Sequence, residues 1–209
     1  KTSSKEDNSC KEDNSCKEDN SKEGNKIVEH LYYLVAQLPA FSVSDDSSQK
    51  LPITTGYFKD LCTRFMSPEK AEIASNLSLE PPLECKSTGS MFLDAWYGKE
   101  RELRLALAQL RALKMKKDSK DLPSTTDGEA IQAARTATGM DSPLSAEQYL
   151  NQYRMDVLSR LAPMDMFSVD AVFSYGLKLM LAERMKKFNR DEGLASYHKI
   201  YDEILGENK

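Results

Sequence analysis

SVDAVFSYGLKLMLAERMKKF, residues 168–188, is the stretch whose reading decides the fold. Ser168 suits a helix cap and Asp170 places an acid in the first turn, where the helix dipole favours negative charge. From Val169 to Phe188 apolar residues fall on almost every side of a 3.6-residue spiral. A helix apolar all round belongs at the centre of a core. Phe173, Leu177 and Leu181 recur at four-residue steps and should be its deepest residues.

The flanks continue the helical pattern. Downstream, Asn189 and Glu192 have capping-box spacing, and Leu194, Tyr197, Tyr201 and Ile204 form a 3-4-3 apolar seam. Upstream, Pro163 stops a helix that the spacing of Ser145 and Gln148 starts, with Tyr149, Tyr153, Val157 and Leu161 on its buried face. EAIQAARTA at 129–137 predicts a short helix ended by Gly139. Ser90 opens the longest helix, to about Lys117, with Phe92, Trp96, Leu103, Leu107 and Leu110 at helical spacing. Ser67-Pro68-Glu69 starts a helix to about Leu77, before Pro81-Pro82 breaks the chain. Thr54 or Thr55 caps another, through Phe65. Ile27 to Leu38 fits a helical stripe ended by Pro39, although the aromatic run LYYLV also suits a strand. Residues 40–52 and 118–127 read as polar loops. The sum is an all-α bundle of about six to eight helices over residues 27–209.

Residues 1–26 differ in kind. KEDNSC occupies 5–10 and again 11–16, KEDNS follows at 17–21, and KEGN at 22–25 is a decayed copy. Cysteine is the only apolar residue in the repeat, so the segment cannot offset the entropy of ordering, and a disordered tail is expected. Cys10 and Cys16 fit repeat duplication better than a metal pair, because closed thiolate sites gather four ligands.

Composition narrows the class. Hydrophobic residues at 40% allow a core, and charged residues at 30% demand a heavily charged surface. No run approaches the roughly 18 apolar residues of a membrane span. The polar start is no secretory signal, and four scattered cysteines without a CxxC pair suit reduced thiols, so a cytoplasmic chain is expected. A net charge of -4 offers nucleic acid no bulk attraction.

The residues hold little sign of catalysis. No glycine-rich phosphate loop and no GxSxG elbow occurs. His30 and His198 each lack a second histidine or cysteine at ligand spacing, so no metal and no cofactor is expected. The one charge feature above background is basic: Arg101, Arg104, Arg111 and Lys114 share a helix face, followed by Lys116, Lys117 and Lys120. It reads as a plain solvated face, an acidic protein's partner, or a phosphate contact. No interleaved aromatics favour the last. Arg101, Arg111 and Lys114 are therefore the candidate partner surface. Glu100 borders the apolar face from Trp96 to Leu103, and Glu147 lies in a first turn. Both read either as solvated surface pairs or as structural groups, one of them pairing with Arg104 across helices.

Four segments carry a resemblance: HLYYLVAQLPAF (30–41), WYGKERELRLALAQLRALK (96–114), SPLSAEQYLNQYRMDVLSRL (142–161) and FSVDAVFSYGLKLMLAERMKKFNRDEG (167–193). In this order they resemble an uncharacterised bacterial family encoded within V-type ATPase operons. That family is distantly similar to the V-type ATPase rotor socket, a funnel of helical units that sits on the proteolipid ring and receives the shaft. The Glu100–Arg104 and Pro143–Glu147 spacings resemble its recurring helix motifs. The resemblance implies a non-catalytic component of the V-type ATPase, cytoplasmic and peripheral to the inner membrane, that couples the central rotor shaft to the proteolipid ring. It implies membrane contact only through the complex and no nucleic acid. The alternatives are a helical scaffold or assembly factor for the same complex, or a nucleic-acid-binding helical module.

Overall fold

A computed structural model describes residues 31–41, 51–84, 86–116, 123–187 and 190–206. The repeat tail, His30, Cys85, Lys117 and Lys120 lie outside these residues. The described chain forms eight α-helices and no strand: α1 (Leu31–Gln37), α2 (Thr55–Phe65), α3 (Pro68–Ser75), α4 (Met91–Lys114), α5 (Gly128–Thr138), α6 (Pro143–Leu161), α7 (Val169–Lys186) and α8 (Arg190–Leu205). The LYYLV segment is helical.

Local chemistry sets the ends. Thr54 accepts from the Tyr57 amide, Ser90 from Leu93 and Ser168 from Ala171, each a side-chain cap on an orphan N–H. Two of these ends are also tied to α7. Ser90 Oγ donates to Asp170 at 2.6 Å, and Glu183 accepts from the amide and hydroxyl of Thr55, both at 2.7 Å. Helix α4 stops at Lys114, short of the expected Lys117, and the chain turns through a left-handed Lys116.

Two starts differ from expectation. Helix α6 begins with Ser142 as cap, accepting from the Ser145 amide, and Pro143 in its first turn. Ser145 is thus already helical: proline's fixed φ and missing N–H suit the first turn and move the start upstream. Helix α5 is capped by Asp127, which accepts from the Glu129 and Ala130 amides and pairs with Lys99 at 2.8 Å. That lysine, first, and those amides hold the Asp127 carboxyl below its usual range.

Helix α7 is the central element, packed on α2, α3, α4 and α6. Phe173, Leu177 and Leu181 are fully buried, as the all-round apolar pattern requires. The main core joins α1, α2, α3, the first half of α4, the end of α6 and α7. A second core joins Leu103, Ala106 and Leu107 of α4 to Leu150 of α6 and to the alanine stripe 130, 133, 134 and 137 of α5. Alanine's small side chain lets α5 lie close against α4. Burial in the main core pushes the Cys62 thiol up to about 12, so it is an inert core residue.

The buried face of α6 is rotated from the expected one. Leu150, Asn151, Arg154, Met155, Val157 and Leu158 are buried, while Tyr149, Tyr153 and Leu161 sit at the edge. The face includes a charged residue and an amide, which apolar periodicity does not see.

Gly176 marks the closest approach of α7 to α2. A methyl group there falls 2.6 Å from Phe58 Cε1 and 2.7 Å from its Cζ. Phe58 is itself fully buried and cannot swing away. Alanine is the better helix former by about 1 kcal/mol, yet Gly176→Ala is expected to destabilise by about 1–3 kcal/mol through overpacking. Urea unfolding measures this, and a stabilised variant would show that α2 yields freely.

Candidate functional site

The most organised polar cluster lies where the two cores meet. Glu100 follows Trp96 and Tyr97 of the main core and precedes Leu103 of the second, and it is 2% exposed. Its carboxylate accepts from Arg154 on α6 through two hydrogen bonds, Nε to Oε2 at 3.0 Å and Nη2 to Oε1 at 3.1 Å. Arg104, one turn on in α4, donates to Oε1 at 2.8 Å. Arg154 also donates to Asn151 Oδ1 at 3.4 Å, and its Nη1 stands 4.0 Å from Glu147. Glu147 in turn accepts from Arg184 of α7. A chain of alternating charges therefore runs from α4 through α6 to α7.

This places the sequence candidates. Glu100 is structural. Its partner across helices is Arg154, and Arg104 binds it within the same helix because four residues bring side chains onto one face. Glu147 does reach another helix, but through Arg184 of α7. Arg104 points its other nitrogen at Glu80, 3.7 Å away. Sequence reasoning missed Arg154. The available signal was its face: Glu147, Asn151, Arg154 and Leu158 recur at i, i+4, i+7 and i+11, so polar groups share a stripe with a core leucine.

The basic candidates divide. Arg111 and Lys114 are exposed in the last turn of α4. Arg101 is half-buried and donates to the Pro82 carbonyl at 2.9 Å, pinning the loop after α3. It lines a cavity of about 260 Å3 with Lys86, Ser87, Asp94 and Tyr97. Hydrogen bonds there, first from Ser87 and then from Thr88, hold the Asp94 carboxyl below its usual range. With its oxygens engaged as a loop clamp, Asp94 is poorly placed as a proton acceptor for a ligand.

Among the described residues no group of three metal-ligating side chains gathers, and no helix is long and apolar enough to cross a membrane. His198 sits exposed on α8.

Apolar exposure is the other feature. Tyr32 of α1 stacks on Phe167 at 4.2 Å, beside the exposed Met164 and Met166. The neighbouring groove, about 320 Å3, is lined by Val35, Leu38, Met166 and Tyr175, with Lys178 at its side. Desolvation there lowers the Lys178 ammonium and raises the Tyr175 hydroxyl to about 12. On α8 the seam is uncovered: Leu194, Tyr197, Ile200, Tyr201, Ile204 and Leu205 are 49–77% exposed. No described α8 residue joins either core.

Fold and surfaces together define a braced all-helical bundle with uncovered apolar faces. A family model described as a protein of unknown function, DUF2764, matches residues 135–208, which span the end of α5 and all of α6, α7 and α8. No curated protein and no solved structure matches the chain.

Proposed function

We propose that this chain is a non-catalytic, peripheral subunit of a V-type ATPase, coupling the central rotor shaft to the proteolipid ring. The observation that carries the mechanical part is the Glu100–Arg154 joint. A body that transmits torque needs its halves held in fixed register, and paired, hydrogen-bonded charges between α4 and α6 fix register by geometry. The assignment to the V-type ATPase rests on the resemblance carried by segments 30–41, 96–114, 142–161 and 167–193. The protein works at the cytoplasmic side of the inner membrane and meets the bilayer only through the complex. It needs no cofactor and binds no nucleic acid.

A helical assembly factor for the same complex is the second reading, favoured by the uncovered apolar face of α8, since such faces commonly mark interaction sites. Quantitative mass spectrometry of the complex purified in detergent from native membranes separates the two. A rotor component appears in fixed stoichiometry with the shaft, an assembly factor in substoichiometric traces, and absence from the complex removes both.

The partner surface has its own test. Complementary charge speeds encounter more than it adds affinity. Arg111→Glu with Lys114→Glu is expected to slow association with the ATPase by about tenfold at low salt and to flatten the salt dependence. Arg101 is left intact because its bond to Pro82 belongs to the fold. Unchanged association across a salt series would make the α4 end plain solvated surface.

A further inference from the structure

We infer that α8 is a self-association element, on which a second copy of this chain docks its own α8 antiparallel. The inference stands independently of the V-type ATPase reading. Its first support is area. Six apolar side chains at half to three-quarters exposure present on the order of 600 Å2 per copy. Two copies then bury about 1,200 Å2, the lower edge of the range for stable specific interfaces.

The second support is symmetry. The seam Leu194, Tyr197, Tyr201, Ile204 has spacing 3-4-3, which reads the same in both directions. Run antiparallel about a two-fold axis, it sets Leu194 opposite Ile204 of the other copy and Tyr197 opposite Tyr201. Each aliphatic residue meets an aliphatic one and each ring meets a ring, the self-complementarity an isologous interface needs. Ile200 falls beside the axis and extends the same face. Direction follows from electrostatics and bulk. Antiparallel helices oppose their dipoles and keep the two Asp202–Glu203 pairs apart, whereas parallel helices would bring them side by side. Only residues 187–189 separate α7 from α8. An antiparallel pair puts the bodies at opposite ends of a helix about 24 Å long, and a parallel pair would crowd them at one end.

The test is sedimentation of the full chain from about 1 to about 200 µM, where mass action shifts a monomer towards a dimer. The wild type is expected to approach twice its monomer mass. Tyr197→Glu with Tyr201→Glu is expected to stay monomeric while the body melts at the same temperature. Direction is read by cross-linking in a chain carrying Cys10→Ser, Cys16→Ser and Cys85→Ser, with the buried Cys62 kept. Leu194→Cys mixed with Ile204→Cys is expected to form a disulfide dimer, and Leu194→Cys alone is not. A wild type monomeric throughout overturns the inference, whether α8 instead folds back on its own groove or waits for a different protein. So does a dimer that survives the double glutamate variant, or one linked through Leu194→Cys alone.

Discussion

Glu100→Ala is expected to cost about 3–5 kcal/mol of folding stability, the range for breaking a buried ion pair from one side. The loss does not come mainly from the missing attraction. Arg154 is 5% exposed and keeps only the Asn151 oxygen at 3.4 Å and Glu147 at 4.0 Å once Glu100 is gone. Its guanidinium is then a buried charge with too few acceptors. Arg104, half-exposed, turns to water and loses little. Replacing both partners, Glu100→Leu with Arg154→Met, removes the stranded charge and is expected to recover most of the stability. A double-mutant cycle in urea measures the coupling. A single-variant loss under about 1 kcal/mol would mean that the joint is open to solvent and braces nothing.

Leu177→Ala is expected to cost about 2–5 kcal/mol, as large-to-small changes in cores do. The upper half of that range is the better expectation, because the site cannot collapse. Leu177 is fully buried at the middle of α7. Its neighbour Gly176 already holds α7 as close to Phe58 as atoms permit, so α2 has no room to follow. A cavity that persists costs more than one that closes. Thermal or urea unfolding gives the value, and a cost near 1 kcal/mol would place α7 at the surface.

These two residues also mark the division between what sequence reveals and what it hides. Leu177 was legible because an apolar run on every side has one physical outcome, burial at the centre. The longest helix was legible for a similar reason, since Ser90 and the Phe92-to-Leu107 spacing both point to α4. Arg154 was hidden. A charged side chain enters a core only when a partner waits there, and that partner, Glu100, is 54 residues away. The same concealment turned the face of α6, since Asn151 and Arg154 rather than Tyr149 and Tyr153 point inward. Asp127 was hidden inside a polar loop, where one more aspartate carries no signal until Lys99 is seen beside it. Arg101 counted as part of a basic face because spacing records angle and not engagement. In α8 the seam was visible, and its lack of cover was not. Amphipathicity states which face needs a neighbour and is silent on whether the chain supplies one.

The two cores differ in how far apart along the chain their members lie, and this sets an order in time. The second core closes among α4, α5 and α6, which follow one another along the chain. The main core needs Thr55 to find Glu183, 128 residues on, and Pro39 to receive the Tyr175 hydroxyl from 136 residues on. Contacts between near neighbours form faster because less loop entropy is lost before they are made. During synthesis α1, α2 and α3 leave the ribosome first and yet close last, holding their apolar faces open until α7 emerges. The early half of the newborn chain is thus the natural client of a chaperone, and the α4–α6 unit the natural seed.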